Sequence, residues 1–479
     1  MHTRRLLSRF GSSRVLGALV VVAMSLGACG SDSTTDSGDA GIADAGSDVT
    51  VQGDAPSSDS PPPPCSGPGA NPDAWATYGH DARRTSASNG CIHASLTEAW
   101  RYGGNGGDAS TFVPGIYNAI ADRDALYVHV AFSAPTVDRV AATDGTRAWR
   151  FKGSADYDTG NWLTLGLGYV LADDDGVYLI NIADGTLKTT SGVDWWGQTA
   201  VDEQRFYVVT ATHGDGPGAF VGAWEVAKGL TWKANVQGGC MPPVGDENGA
   251  LAVDKGVVFY APRYEIGNAS FGVGDGGTFA VPSGLYAFDA ATGTSKWSVP
   301  TIPRSSISIG DGHVYLVEDG PALVARSVVD GATIWKAPLT VGAQTIGAQP
   351  PLVALGRVVI GTSDHVLAFD AATGKAAWSM PLVRAAIHGN DSATINFVSC
   401  PSAGEPNASP VTTTFAAATA SNTLIVTAAD AIHVLAIDSG VELGTHPLAQ
   451  ATNPVIVGDR LYVVASSTVG TQIVALKSR

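Results

Sequence analysis

The chain has 479 residues, with 28 Lys+Arg against 44 Asp+Glu and a formal net charge of -16. Charged residues are 15% of it, where soluble domains usually carry about 25%, and 58 residues are Gly. This excludes a helical bundle or coiled coil, which need Leu, Glu, Lys and Arg. It also argues against a nucleic-acid binder, since an acidic surface repels the phosphates that supply most of that affinity.

The first segment reads as an address. Arg4, Arg5, Arg9 and Arg14 form a positive start, Val15 to Met24 is an almost unbroken apolar run, and Leu26-Gly27-Ala28-Cys29 follows. A charged start, a short apolar core and small residues before a cut describe a secretory signal over 1–28. The Leu-Gly-Ala-Cys ending resembles the bacterial lipobox, which implies that Cys29 becomes the first mature residue and carries lipid (palmitate among its acyl chains). Residues 29–64 then form an acidic, Ser- and Pro-rich tether. With one Ile, two Val and no aromatic residue in 30–64, the tether cannot offset the entropy of ordering. Gly30, beside the lipidated cysteine, implies the outer membrane by the sorting rule for such proteins.

Beyond residue 65 the chain repeats. The copies are clearest at AFDAATGTSKW (287–297) and AFDAATGKAAW (368–378), identical at eight of eleven positions. VAATDGTRAW (140–149) and RSVVDGATIW (326–335) are close variants. LINIADGTL (179–187) and LAIDSGVEL (435–443) keep the turn and read as having Leu in place of Trp. AWEVAKGLTW (223–232) keeps Trp without the Asp. Asp shortly before Gly makes a tight turn, because Gly accepts positive φ and the carboxylate binds backbone N–H groups. The two-residue alternation around it predicts strands. Seven such hairpins are complete. An eighth third strand, Gln472–Leu476, ends the chain without a fourth, and LTEAWRY (96–102) supplies one from the start. The spacing therefore predicts an all-β, eight-bladed β-propeller of four-stranded antiparallel blades over 65–479, the last blade closed by the N-terminal strand. Trp100, Trp149, Trp232, Trp297, Trp335 and Trp378 are the expected docking residues between blades.

The AxDxxTGxxxW unit resembles the tryptophan-docking repeat of PQQ-like, quinoprotein-type β-propellers, and WATYGHDARRT (75–85) is similar to the segment that opens many of them. The family includes quinone-dependent alcohol dehydrogenases and the lipoprotein propeller of the outer-membrane barrel-assembly machinery. The enzymes typically use PQQ with Ca²⁺ and a disulfide between adjacent cysteines. None of the five cysteines here adjoins another, and no Cys-x-x-Cys-His for haem is present. No metal site or catalytic residue stands out.

In this fold the blade-to-blade connectors ring one mouth, and loops on a rigid scaffold carry function. Candidates there are Asp156, Tyr157 and Trp162; Trp195 and Trp196; Arg304; Arg384 and His388. Trp195-Trp196 reads either as an aromatic platform for a ring or sugar, or as the docking indole missing near Leu187. Two long insertions, 262–284 and 381–413, are the expected specific parts. With Cys29 lipidated, Cys65, Cys91, Cys240 and Cys400 remain, enough for two disulfides in an oxidising compartment; Cys65–Cys91 and Cys240–Cys400 are one of three pairings.

The expectation is a monomeric outer-membrane lipoprotein, held to the membrane through Cys29, whose propeller binds a protein or small-molecule partner at one mouth without catalysis. No cofactor and no nucleic-acid partner is expected. The alternatives are a PQQ- and Ca²⁺-dependent dehydrogenase and a glycan-binding or adhesive propeller.

Overall fold

A computed structural model describes residues 73–103, 116–130, 136–153, 162–173, 177–191, 199–211, 219–236, 250–261, 284–318, 320–339, 349–362, 365–382, 414–467 and 470–478. They form an eight-bladed β-propeller. Blade 1 is Ile116–Ala121, Ala125–Val130, Thr136–Ala141 and Arg147–Lys152; blade 2 is Leu163–Gly166, Tyr169–Asp173, Val177–Asn181 and Leu187–Ser191. Blade 3 is Ala200–Val201, Phe206–Ala211, Ala219–Glu225 and Gly229–Val236; blade 4 is Ala250–Asp254, Val257–Ala261, Gly284–Asp289 and Ser295–Pro300. Blade 5 is Ser308–Gly310, His313–Glu318, Ala322–Ser327 and Thr333–Pro338; blade 6 is Leu352–Ala354, Arg357–Gly361, His365–Asp370 and Ala376–Pro381. Blade 7 is Thr414–Ala418, Thr423–Thr427, Ile432–Ala436 and Glu442–His446. Blade 8 is Ala451–Val457, Arg460–Ser467 and Gly470–Ser478, closed by the N-terminal strand Leu96–Gly103, paired from Leu96↔Ser478 to Gly103↔Gln472.

First strands of consecutive blades adjoin all round the axis, blade 8 returning to blade 1. Second and third strands pack on both faces, so they read as continuous apolar runs; Ala125–Val130 is buried throughout. Fourth strands line the rim, and Ser295–Pro300 has no fully buried residue. The tight first-to-second and third-to-fourth turns share one face, the turn face. Second-to-third and blade-to-blade connections share the other, the connector face.

Each docking indole reaches the next blade. Trp100, Trp149, Trp232, Trp297, Trp335 and Trp378 donate from Nε1 to the carbonyls of Ala142, Ile182, Ala290, Val328, Ala371 and Ile437, at 3.0–3.2 Å. The ring covers the receiving turn's Gly. At Gly374, φ is +70° and a Cβ would lie 2.5 Å from the Trp335 ring, so the turn needs Gly for both conformation and space.

The register corrects one sequence reading. A bulge precedes every indole, and Ala368 faces Trp378. The equivalent pairs are Leu179↔Thr189 in blade 2 and Val434↔Gly444 in blade 7. Thr189 and Gly444, not Leu187 and Leu443, therefore hold the indole positions, and those leucines stand 45% and 47% exposed on the rim. Both losses have causes. Trp224 of blade 3 packs against Leu171, Val177 and Leu179 of blade 2 and covers Gly229, filling the first slot from the other side. A Cβ on Gly444 would lie 3.1 Å from Ala94, where the chain crosses from the axis to the rim of blade 8. A side chain there is crowded by that crossing.

Blades 8 and 1 are joined by a buried polar cluster. Asp138, fully buried, accepts from Tyr102 Oη at 2.5 Å and from Arg150 Nε and Nη2 at 2.6 and 2.5 Å. Such a cluster specifies the seam, since removing one member strands the others in low dielectric.

Titration bounds the stable pH range. Burial raises the phenols of Tyr102, Tyr127, Tyr207, Tyr260, Tyr315 and Tyr462 above the usual 10. The unfolded chain then loses these protons first, so their contribution is complete below about pH 10 and lost as pH rises beyond it. Burial pushes His129 down from 6.5 to about 4, so its contribution is present above 6.5 and lost as pH falls to about 4. Urea midpoints should be flat from about pH 7 to 9 and decline on both sides. A midpoint unchanged between about pH 9 and 11 would contradict this.

Candidate functional site

The segment 73–94 runs inside the ring as a strap. Trp75 exchanges both backbone bonds with Ala121 of blade 1, at 2.7 and 3.0 Å. Leu165 of blade 2 donates to Ala76, Val253 of blade 4 to Ala82 and Ile309 of blade 5 to Arg83, at 2.7, 2.7 and 2.8 Å. Val353 of blade 6 and Ala417 of blade 7 donate to Thr85 and Ser86 at 2.9 Å. Ala87–Ser88 then adds a short parallel strand inside blade 7, and Cys91 N–H donates to Gly458 of blade 8 at 2.8 Å. In blades 2, 4, 5, 6 and 7 the donor is the penultimate residue of the first strand. The strap therefore closes the axis near the turn face.

Two features hold it. Arg84 is fully buried, and its guanidinium donates to backbone carbonyls of Leu251 (blade 4), Thr199 (before blade 3) and Tyr78, the last two at 2.8 and 2.5 Å. Burial lowers this guanidinium to about 10, against the pull of Tyr78 and Asp81. Asp73 accepts from Ser88 Oγ at 2.8 Å and lies 3.0 Å from His80 Nε2. Burial raises its carboxyl, but His80, Ser88 and Asn89 more than offset that and keep it below the usual range. His80, Arg84 and Ser86 all have positive φ, at 81°, 58° and 52°, a conformation non-Gly residues keep only where surroundings enforce it.

Above the strap, towards the connector face, the axis opens into a cup of about 420 Å³, including its open mouth. Trp75, Tyr78, Gly79 and Ser86 of the strap form the floor. The wall is Asn118–Ile120 of blade 1, Gln349 and Pro350 before blade 6, Thr414 and Phe415 of blade 7 and Asn453–Val455 of blade 8. The side chains of these described residues are amides, hydroxyls, aromatics and aliphatics, with no carboxylate and no cation among them.

Of the sequence candidates, Trp162 and Arg304 are described. Trp162 meets Tyr78 of the cup floor edge-on, ring centroids 4.6 Å apart, and its Nε1 has no hydrogen-bond partner among the described residues. Arg304 is half-buried before blade 5, its N–H donating to Val317 at 2.7 Å. The structure does not bring these two together in the cup lining. Asp156, Tyr157, Trp195, Trp196, Arg384 and His388 lie outside the described residues, as do Cys29, Cys65, Cys240, Cys400 and both insertions apart from their ends. Cys91 is buried, with Sγ 3.6 Å from His93 Nε2. Among the described residues no group of three or more His, Cys, Asp or Glu could hold a metal ion. Ca²⁺ needs six to eight oxygens with acidic ligands among them, and PQQ carries carboxylates that call for cations. The described cup lining offers neither, and does not fit a Ca²⁺–quinone pair.

Sequence reading missed the strap and with it Trp75, Tyr78, Asn118 and Phe415 as cup residues. The aromatic density of WATYGHDARRT was the available signal. Nothing local marks Arg84 as buried.

Eight blades, indole-to-turn docking and closure by the N-terminal strand define a tryptophan-docked β-propeller. A family model described as outer membrane protein assembly factor BamB matches residues 281–478. The quinohemoprotein alcohol dehydrogenase of Comamonas testosteroni is similar in structure at TM-score 0.59 and 13% identity, over 84% of this chain and 80% of that one. A europium-containing methanol dehydrogenase aligns at TM-score 0.58 and 11% identity, over 84% and 98%. BamB from Moraxella catarrhalis aligns at TM-score 0.52 and 14% identity, over 81% and 98%. At these identities the structures share the fold. No curated protein matches in sequence.

Proposed function

We propose that this chain is an envelope lipoprotein, anchored through Cys29, whose propeller is a non-catalytic scaffold holding a protein partner at the connector face. One observation carries the reading: among the described residues the strap shuts the axis near the turn face and leaves an open cup with no charged side chain in its lining. A through-channel is absent among the described residues, and so is a set of acids or bases convergent on the cup. The match to the BamB family model supports the same class of role.

The test places a photo-crosslinking amino acid at Gln349, beside the cup, or at Asp311, on the turn face, in the full chain in its own envelope. Defined adducts are expected from position 349 and not from 311; adducts only from 311 would overturn the reading. In the same cells Cys29→Ser should move the protein from the membrane to the soluble fraction. Retention on the membrane would remove the lipid anchor from the account.

A further inference from the structure

We infer that the cup takes a short extended peptide segment with uncharged side chains, held by the backbone edges of Ala119 and Phe415. This rests on the reading of the connector face as the binding face and names what would enter it. The strap supplies the template. It is an extended chain bound inside the ring mainly through backbone bonds to first strands, which are the free edges of their blades. Ala121 and Ala417 make two of those bonds. Residues two apart in a strand present N–H and C=O to the same edge. The pairing is regular from Ala119↔Val128 to Ala121↔Leu126 and from Phe415↔Val426 to Ala417↔Leu424. Ala119 and Phe415 therefore aim their backbone groups at the axis one tier above the strap, and both line the cup.

The same tier is occupied on blades 4 and 6. The Leu251 carbonyl in blade 4 is taken by Arg84. Pro351 before blade 6 has no N–H, and its carbonyl accepts from Ser308 Oγ at 2.5 Å. The second tier thus admits a short segment between blades 7 and 1, not a second full strap. With no described charge in the cup to meet it, a charged side chain entering would go uncompensated. Trp75, Tyr78 and Phe415 offer faces to small apolar or aromatic side chains.

The experiment is hydrogen exchange of the full chain with capped tetra-alanine or maltotetraose, each at concentrations on the order of millimolar, the range for a contact this small. Tetra-alanine should slow exchange several-fold at Ala119 and Phe415 and leave the turn face unchanged. Ala119→Pro removes one axis-facing donor without touching the ladder, and should abolish the slowing at Phe415 with a melting temperature near wild type. Should that variant not fold, Gln349→Trp, which narrows the cup from a connector, must abolish it too. No slowing by tetra-alanine, or slowing by maltotetraose instead, overturns the inference. Crosslinks from position 349 alongside such a failure leave the scaffold reading standing; loss of both removes the reading as well.

Discussion

Arg84→Ala is expected to destabilise the protein by about 3–5 kcal/mol, the range for breaking a buried, charge-assisted network. Three backbone carbonyls lose a donor that water cannot readily replace at a fully buried site. Two of them, on Leu251 and Thr199, belong to the ring rather than the strap, so one side chain ties the strap to the axis. The urea midpoint should fall, and exchange should quicken at Val253, Ile309 and Val353, the amides that donate to the strap. Arg84→Lys keeps the charge but not the planar fork, and should recover only part of the loss. A cost below about 1 kcal/mol, with those amides still protected, would show that the strap does not depend on Arg84.

Trp335→Ala should cost about 3 kcal/mol, the low end for a large aromatic because the indole is half-buried. It removes the ring over Gly374 and the bond to the Ala371 carbonyl. The reciprocal change, Gly374→Ala, should cost about 2–4 kcal/mol, adding overpacking to a left-handed backbone. Gly256→Ala is the control. Its φ is +75°, with nothing within 4 Å of the added Cβ, and about 1 kcal/mol is expected. Equal costs at Gly374 and Gly256, read from urea midpoints, would mean that only backbone conformation matters and that the docking indole contributes nothing to the turn.

The blades were legible because their determinants are local. Asp and Gly at a fixed offset set each turn, alternation sets each strand, and the orphan strands at 96–102 and 472–476 signal closure by complementing each other. The register around Thr189 and Gly444 was less legible. Leu187 and Leu443 look like substitutes for Trp in a string of letters, but the bulge before each indole shifts the position by one or two residues. The reasons for the missing indoles are non-local: Trp224 arrives from the next blade, and Ala94 from the far end of the chain. The strap was hidden for the same reason. Its partners lie up to 385 residues away in sequence, and its own residues follow no period, since each turn of the strap answers a different blade. The cup inherits that blindness, because its floor is the strap.

The most direct test of a non-catalytic scaffold is calorimetric titration of the chain with PQQ in the presence of Ca²⁺. A cup whose described lining has neither carboxylate nor cation predicts no saturable heat and no thermal shift. Saturable one-to-one binding, with a matching rise in melting temperature, would contradict the account and make the propeller a quinone-binding protein.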